Sequence, residues 1–234
     1  MRKRLAREIH VWAALDHPNI LEFIGFAFED GLPCLISPWC GNGTLVEYLQ
    51  NNIRPDRGLL VHQIAEGLNY LHTRSPPITH GDFKTTNVLI TDDNIAKICD
   101  FGGSKYLKEG NTGFTTTGIL NATIRYCAPE ILRDGQNHTL QSDVYSFACV
   151  ALETMTGKCP FWTIPIGVAI ISKVILDKQT PSPVDHPELQ DATLWALLRR
   201  CWSHEPSARP TMTEVCRTVH FTLKQKRFIS DDFW

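Results

Sequence analysis

The sequence predicts an α+β fold in which a small strand-bearing part precedes a larger helical one, and three observations carry that expectation. Apolar residues recur at helical spacing after residue 60, as Leu60, Ile64, Leu68 and Leu71 do in LLVHQIAEGLNYLH. Strand-like runs concentrate before residue 40, in LEFIGFAFED and LPCLIS. A third pair of short apolar runs, in VLITDDNIAKIC, flanks an Asp-Asp-Asn turn, as a β-hairpin would.

Taken in chain order, the opening MRKRLAREIHVWAAL is basic, but Glu8, His10 and Asp16 break any apolar stretch of the kind a signal peptide needs. It reads as an amphipathic helix. The strand-like runs follow, then GNG at Gly41 to Gly43, a turn leading into a helix. The helix over residues 60 to 72 stops at Ser75, Pro76 and Pro77. Ser142 is the expected cap of SDVYSFACVALETMTG, which buries Val144, Phe147, Ala151 and Met155 and ends at Gly157. Thr211 and Glu214 form a capping box for TMTEVCRTVHFTL.

The 234 residues are 43% hydrophobic and 21% charged, ordinary for a soluble globular protein. A net charge of -2 provides no field toward nucleic acid or an anionic membrane, and no apolar run approaches the roughly 20 residues needed for a membrane span. Eight cysteines occur without a C-x-x-C pair, the usage of reduced thiols in a cytoplasmic, intracellular protein. The sequons at Asn121 and Asn137 are then chance matches. The histidines lack zinc-ligand spacing.

The chemistry concentrates in HGDFKTTN, His80 to Asn87, just before the predicted hairpin. With the turn at Asp92 to Asn94, Thr91 pairs with Ile95, and stepping outward brings Asn87 opposite Cys99, beside Asp100. A carboxamide and a carboxylate at one hairpin end suit a hard cation such as Mg2+, which fills its remaining shell with water and phosphate oxygens. Asp82, on the loop entering the hairpin, is within reach of a substrate hydroxyl. Singly, such residues are also ordinary turn formers. The joint spacing favours a site.

HGDFKTTN, DFG (Asp100 to Gly102) and APE (Ala128 to Glu130), in that order and at those distances, resemble the catalytic core of eukaryotic protein kinases, closest to the tyrosine-kinase-like group of serine/threonine kinases. The resemblance runs through nearly the whole chain and implies three parts. Residues 1–40 would be a partial N-lobe and hinge, with one helix and two or three strands; residues 41–225 a complete, mainly helical C-lobe; residues 226–234 a tail. It also implies roles. Asp82 would orient the substrate hydroxyl and accept its proton, Lys84 would neutralise the transferring phosphoryl group, and Asn87 and Asp100 would hold magnesium against ATP. Thr123 would touch base and lysine, favouring Ser/Thr over Tyr as acceptor in a protein substrate. Ser37 would be the gatekeeper. The carbonyl of Pro38 and the amide of Cys40, flanking Trp39, would hold adenine, with Leu89 beneath it. Glu8 would be the ion-pairing glutamate of the regulatory helix, and Trp12, Phe23, His80 and Phe101 would stack as an internal spine. Asp143 would brace the catalytic loop, and Arg209 would pair with Glu130.

Two departures set further expectations. Gly81 replaces the arginine that, in many such kinases, grips an activation-segment phosphate, so that control through Ser104, Thr112, Thr115, Thr116 or Thr117 loses its usual receptor. No G-x-G-x-x-G or V-A-I-K lysine precedes Glu8 in this sequence, and Arg2, Lys3 and Arg4 are its nearest substitutes. A poorly covered nucleotide site, weak ATP binding and exposed apolar surface on a two-stranded sheet are therefore expected. The alternatives to a protein kinase are a pseudokinase serving as a protein-binding module and a small-molecule phosphotransferase; APE, DVYSF and CW…RP oppose the latter.

Overall fold

The computed structural model describes residues 2–106, 123–135 and 137–231. Thr112, Thr115, Thr116, Thr117 and Asn121 lie outside them, as do the side chains of Arg2, Lys3 and Arg4. Helix α1 (Arg2–Trp12) inserts Val11 and Trp12 into the core, and Leu15 follows them just past its end. Strands β1 (Gly25–Glu29) and β2 (Leu32–Ile36) form an antiparallel hairpin with Gly25 opposite Ile36. Asp30 and Gly31 at its tip both take positive φ, 51° and 77°, the pair that a two-residue type I′ turn requires. The sheet leaves Phe26, Phe28 and Leu32 more than half exposed, as expected.

The helical part is organised around α5 (Leu140–Thr156), which is buried almost all round from Ser142 to Thr154. Helix α3 (Arg57–Thr73) packs Leu60, Ile64, Leu68 and Leu71 inward, as their spacing predicted. It contacts α5 and α8 (Met212–Asp231), while α7 (Ala192–Cys201) closes the layer. Helices α4 (Pro129–Asp134) and α6 (Gly167–Ile175) pack against each other, and α2 (Leu45–Asn51) starts at a Thr44–Glu47 capping box directly after the GNG turn. The Thr211–Glu214 box forms as expected.

The expected cap of α5 is corrected by one turn. Thr139 is the N-cap, its hydroxyl accepting from the Ser142 amide at 3.1 Å, while Ser142 Oγ accepts from the Thr139 amide at 2.9 Å. Ser142 is thus the third helical residue of the box. Both residues are good caps, and the reciprocal bond pair satisfies two end amides where Ser142 alone would satisfy one.

Strands β4 (Val88–Ile90) and β5 (Ala96–Ile98) pair in the register read from the turn, with Val88 opposite Ile98. The Thr91 amide donates to Ile95 at 3.0 Å and the Cys99 amide to Asn87 at 2.9 Å. Strand β3 (Ile78–Thr79) pairs with β6 (Lys105–Tyr106), so the chain on either side of His80 to Asp100 is clamped at its base. Among the described residues, three small sheets and many helices make the α+β architecture that the sequence predicts.

Candidate active site

The site is built outward from a buried acid. Asp143, on α5, accepts the amide of His80 on Oδ2 at 2.7 Å and the amide of Gly81 on Oδ1 at 3.0 Å. His72, from the end of α3, donates Nε2–H to Oδ2 at 3.2 Å. Burial alone would push the Asp143 carboxyl up; the His72 hydrogen bond and charge, His80 and the Gly81 amide outweigh it and hold the acid below its ordinary value. An ionised carboxylate therefore fixes the start of the loop through backbone donors.

Gly81 has a backbone reason to be glycine. Its φ is 80°, and a Cβ there would stand 2.5 Å from the Gly103 carbonyl oxygen, where the loop crosses the turn after Asp100. Beside it, Ser104 Oγ donates to the His80 carbonyl at 3.1 Å. Gly81→Ala is expected to lower stability by about 1–3 kcal/mol through positive φ and this contact. Denaturant unfolding checks it: a midpoint equal to wild type at unchanged slope would contradict the close approach.

His80 links the loop to an aromatic column. Nε2 lies 3.1 Å from the Cys99 carbonyl, which can only accept, so an Nε2 proton points at that oxygen, while Nδ1 lies 3.4 Å from the Asp82 amide. The ring centroid is 5.7 Å from that of Phe101, Phe101 is 5.9 Å from Trp12, and Trp12 is 5.2 Å from Phe23. The four aromatics expected to stack form one continuous series from the β1 approach to the loop. Glu8 lies one turn before Trp12 on α1 and is half-buried.

Three loop side chains converge. Lys84 Nζ donates to Asp82 Oδ2 at 2.6 Å and to Thr123 Oγ1 at 3.3 Å, so the lysine bridges acid and threonine. Asn87 donates Nδ2 to the Asp82 carbonyl at 2.8 Å. A carbonyl only accepts, so the amide is fixed with its Oδ1 on the opposite side. Asp100 adopts a left-handed conformation, φ 63° and ψ 76°, with its exposed carboxylate accepting the Gly102 amide at 3.3 Å. An oriented amide oxygen and an exposed carboxylate at one hairpin end are hard donors that fit Mg2+.

The segment expected to be the hinge leads into a turn beside the same hairpin, where the Ile90 amide donates to the Gly43 carbonyl at 2.9 Å. Pro38 and Trp39 are exposed and Cys40 is buried, while Leu89 is half-buried and bridged to Thr44. The Cys40 carbonyl accepts the Gly43 amide at 3.0 Å, confirming GNG as a backbone turn. A cleft of about 600 Å³ opens away from this region, between Pro129 and Glu130 on one side and Lys178 and His204 on the other. Beside that cleft, Arg209 meets Glu130 with two hydrogen bonds of 2.7 Å, both groups buried. Arg209 also donates to the Gln141 carbonyl at 2.9 Å and the Ser203 carbonyl at 2.8 Å, and lies over the Tyr145 ring.

Residues 1–219 match the protein tyrosine and serine/threonine kinase family. The chain belongs to that kinase family. Among curated relatives, it is 33% identical to mitogen-activated protein kinase kinase kinase 12 of Rattus norvegicus, over 86% of this chain and 22% of the relative. It is 29% identical to serine/threonine-protein kinase CTR1 of Arabidopsis thaliana, over 93% of this chain and 26% of the relative. Serine/threonine-protein kinase STY17 of Arabidopsis thaliana is 26% identical over 99% of this chain and 39% of its own length. The chain thus spans well under half the length of these relatives. Resemblance to the tyrosine-kinase-like group agrees with these serine/threonine kinases.

The kinase site contains groups that the sequence reading missed. Arg125 donates to the carbonyls of Pro160, Phe161 and Ile164 at 3.0, 2.7 and 2.7 Å, anchoring the segment before α6. Thr85, Tyr126 and Glu153 form a buried polar cluster beneath the loop. The signal for it was present: Glu153 is the one charged residue in FACVALETM, and an acid inside so apolar a stretch must find donors.

Proposed function

We propose that this kinase domain is a serine/threonine protein kinase, transferring the γ-phosphoryl group of ATP to a hydroxyl of a protein substrate. The Lys84 bridge between Asp82 and Thr123 carries the reading. Asp82 is the partly exposed acid that orients the acceptor hydroxyl and takes its proton. Lys84, already held against Asp82, places its ammonium where charge gathers on the transferring group. Thr123 fixes that ammonium from the acceptor side, the arrangement expected for a Ser/Thr acceptor. Magnesium bound by Asn87 and Asp100 would screen the charge of the nucleotide phosphates. Asn87 presents Oδ1 because its amide is spent on the Asp82 carbonyl. The Pro38 carbonyl and Cys40 amide receive adenine, with Leu89 beneath the base. Catalysis is then positioning together with charge stabilisation.

Among the described residues no helix is long and apolar enough to cross a membrane. All eight cysteines are free, which supports a reducing, cytoplasmic setting. The acceptor chemistry is tested with the full-length protein, Mg-ATP and peptides matched except for Ser, Thr or Tyr at the acceptor. Label on serine and threonine, with none on tyrosine, is expected; preferential tyrosine labelling would overturn the Ser/Thr assignment.

A further inference from the structure

We propose that Asn42 is a positioning residue for the nucleotide site. Its side chain keys the turn after the hinge segment to the tip of the β4–β5 hairpin, so that the adenine end and the metal end of a bound nucleotide are held in one register. The proposal rests on the kinase reading for the ligand, and on the geometry alone for the coupling.

Asn42 is half-buried in the GNG turn, two residues after Cys40. Its Nδ2 donates to the Thr91 carbonyl at 2.7 Å and to Asn94 Oδ1 at 3.3 Å. A carbonyl only accepts, so Thr91 fixes the orientation of the amide. Both partners belong to the hairpin turn. Asn94 takes φ 60° there, and its own amide donates to the same Thr91 carbonyl at 2.9 Å. One side chain thus grips both ends of a turn 49 residues away in sequence. The backbone follows it closely. A Cβ on Gly41 would stand 2.1 Å from Asp92 Oδ1, the Gly43 carbonyl accepts the Ile90 amide at 2.9 Å, and Thr44 is bridged to Leu89. Residues 42–44 therefore lie along the outer edge of β4. On the far edge of the hairpin, the Ile98 amide donates to the Asn19 carbonyl at 2.9 Å.

That grip matters because β4 and β5 are three residues each, and an isolated two-stranded hairpin is marginal in water. Its orientation is set by what holds its edges. Backbone pairing runs unbroken from Thr91 and Ile95 at the tip to Asn87 and Cys99 at the open end, about 13 Å at strand rise. A tilt at the tip is therefore delivered to Asn87 and Asp100, the proposed magnesium donors. Cys40, whose amide would receive adenine, has its carbonyl bonded to the Gly43 amide at 3.0 Å in the turn that Asn42 occupies. Asn42 joins the two units.

The test uses the full-length protein with Asn42→Ala, which removes the amide, and Asn42→Leu, which keeps its bulk without a donor or a charge. Asn94→Gly, which suits the positive φ but lacks the second acceptor, breaks the contact from the other side. Two readouts are taken: dissociation constants for adenosine and for Mg-ATP, and amide hydrogen exchange at Ile90 and Ile98. Adenosine engages the hinge side alone, whereas Mg-ATP needs both ends. Asn42→Ala and Asn42→Leu are each expected to weaken Mg-ATP about fivefold, the worth of one hydrogen bond, while adenosine changes by less than about twofold. Exchange at Ile90 should quicken while Ile98 stays protected, and Asn94→Gly added to Asn42→Ala should cost little further. Equal weakening of adenosine and Mg-ATP would make Asn42 a plain turn residue and overturn the proposal, as would unchanged exchange at Ile90 in both Asn42 variants. Should wild type bind neither ligand, the kinase reading fails, while exchange still decides the coupling.

Discussion

Replacing Asp82 by Asn is expected to lower phosphoryl transfer by on the order of 10²–10⁴-fold, with KM for ATP and thermal stability close to wild type. Asparagine keeps the shape and one acceptor oxygen, so Lys84 retains hydrogen bonds to residue 82 and to Thr123. Under the proposed kinase mechanism, what disappears is the proton acceptor for the substrate hydroxyl and the charge that orients it. The stability cost is small because the Asp82 side chain is 31% exposed and its ion pair with Lys84 is partly solvated. Steady-state kinetics alongside a melting curve separate the two. A variant retaining wild-type kcat would show that Asp82 is a structural turn residue.

Glu130→Ala is expected to cost about 3–5 kcal/mol of stability, the largest single effect in the helical part. The glutamate accepts two 2.7 Å bonds from an arginine whose side chain is fully buried. Without it, the guanidinium keeps the Gln141 and Ser203 carbonyls and the Tyr145 ring but no counter-charge. The loss comes from stranding that cation rather than from removing attraction. Glu130→Met combined with Arg209→Met should therefore recover a large part of it, since neither charge remains buried alone. Urea unfolding measures both variants against wild type. A Glu130→Ala midpoint within error of wild type would mean that the pair contributes no net stability.

These expectations draw on different layers of legibility. The β4–β5 register was readable from VLITDDNIAKIC because a short turn between period-2 runs leaves one way to pair, and that register places Asn87 next to the Cys99–Asp100 corner. The helix cores were readable from spacing alone. The cap of α5 was misplaced by three residues because Thr139 and Ser142 are both competent caps, and only the reciprocal geometry selects between them. The Glu130–Arg209 pair, 79 residues apart, followed from resemblance and not from any local pattern.

The remainder of the site depends on conformation that composition does not encode. Gly81 reads as the loss of an arginine, yet its positive φ and the Gly103 oxygen 2.5 Å from a Cβ position arise only when two loops cross. Thr85, Tyr126 and Glu153 meet across 41 and 68 residues of sequence, with no shared period to announce them. Lys84 was placed in the chemistry by its position two residues after Asp82, and its contact with Thr123 followed from the family resemblance; the geometry of that contact depends on how the 123–128 stretch docks on α5.

The most direct measurement is transfer of labelled γ-phosphoryl from Mg-ATP to protein serine or threonine by the full-length wild type, set beside its Asp82→Asn variant. Label that accumulates with wild type, requires the divalent ion and falls to background in the variant is the predicted result. Wild-type transfer no greater than that of Asp82→Asn would contradict the kinase assignment of the site and leave this fold as a protein-binding module.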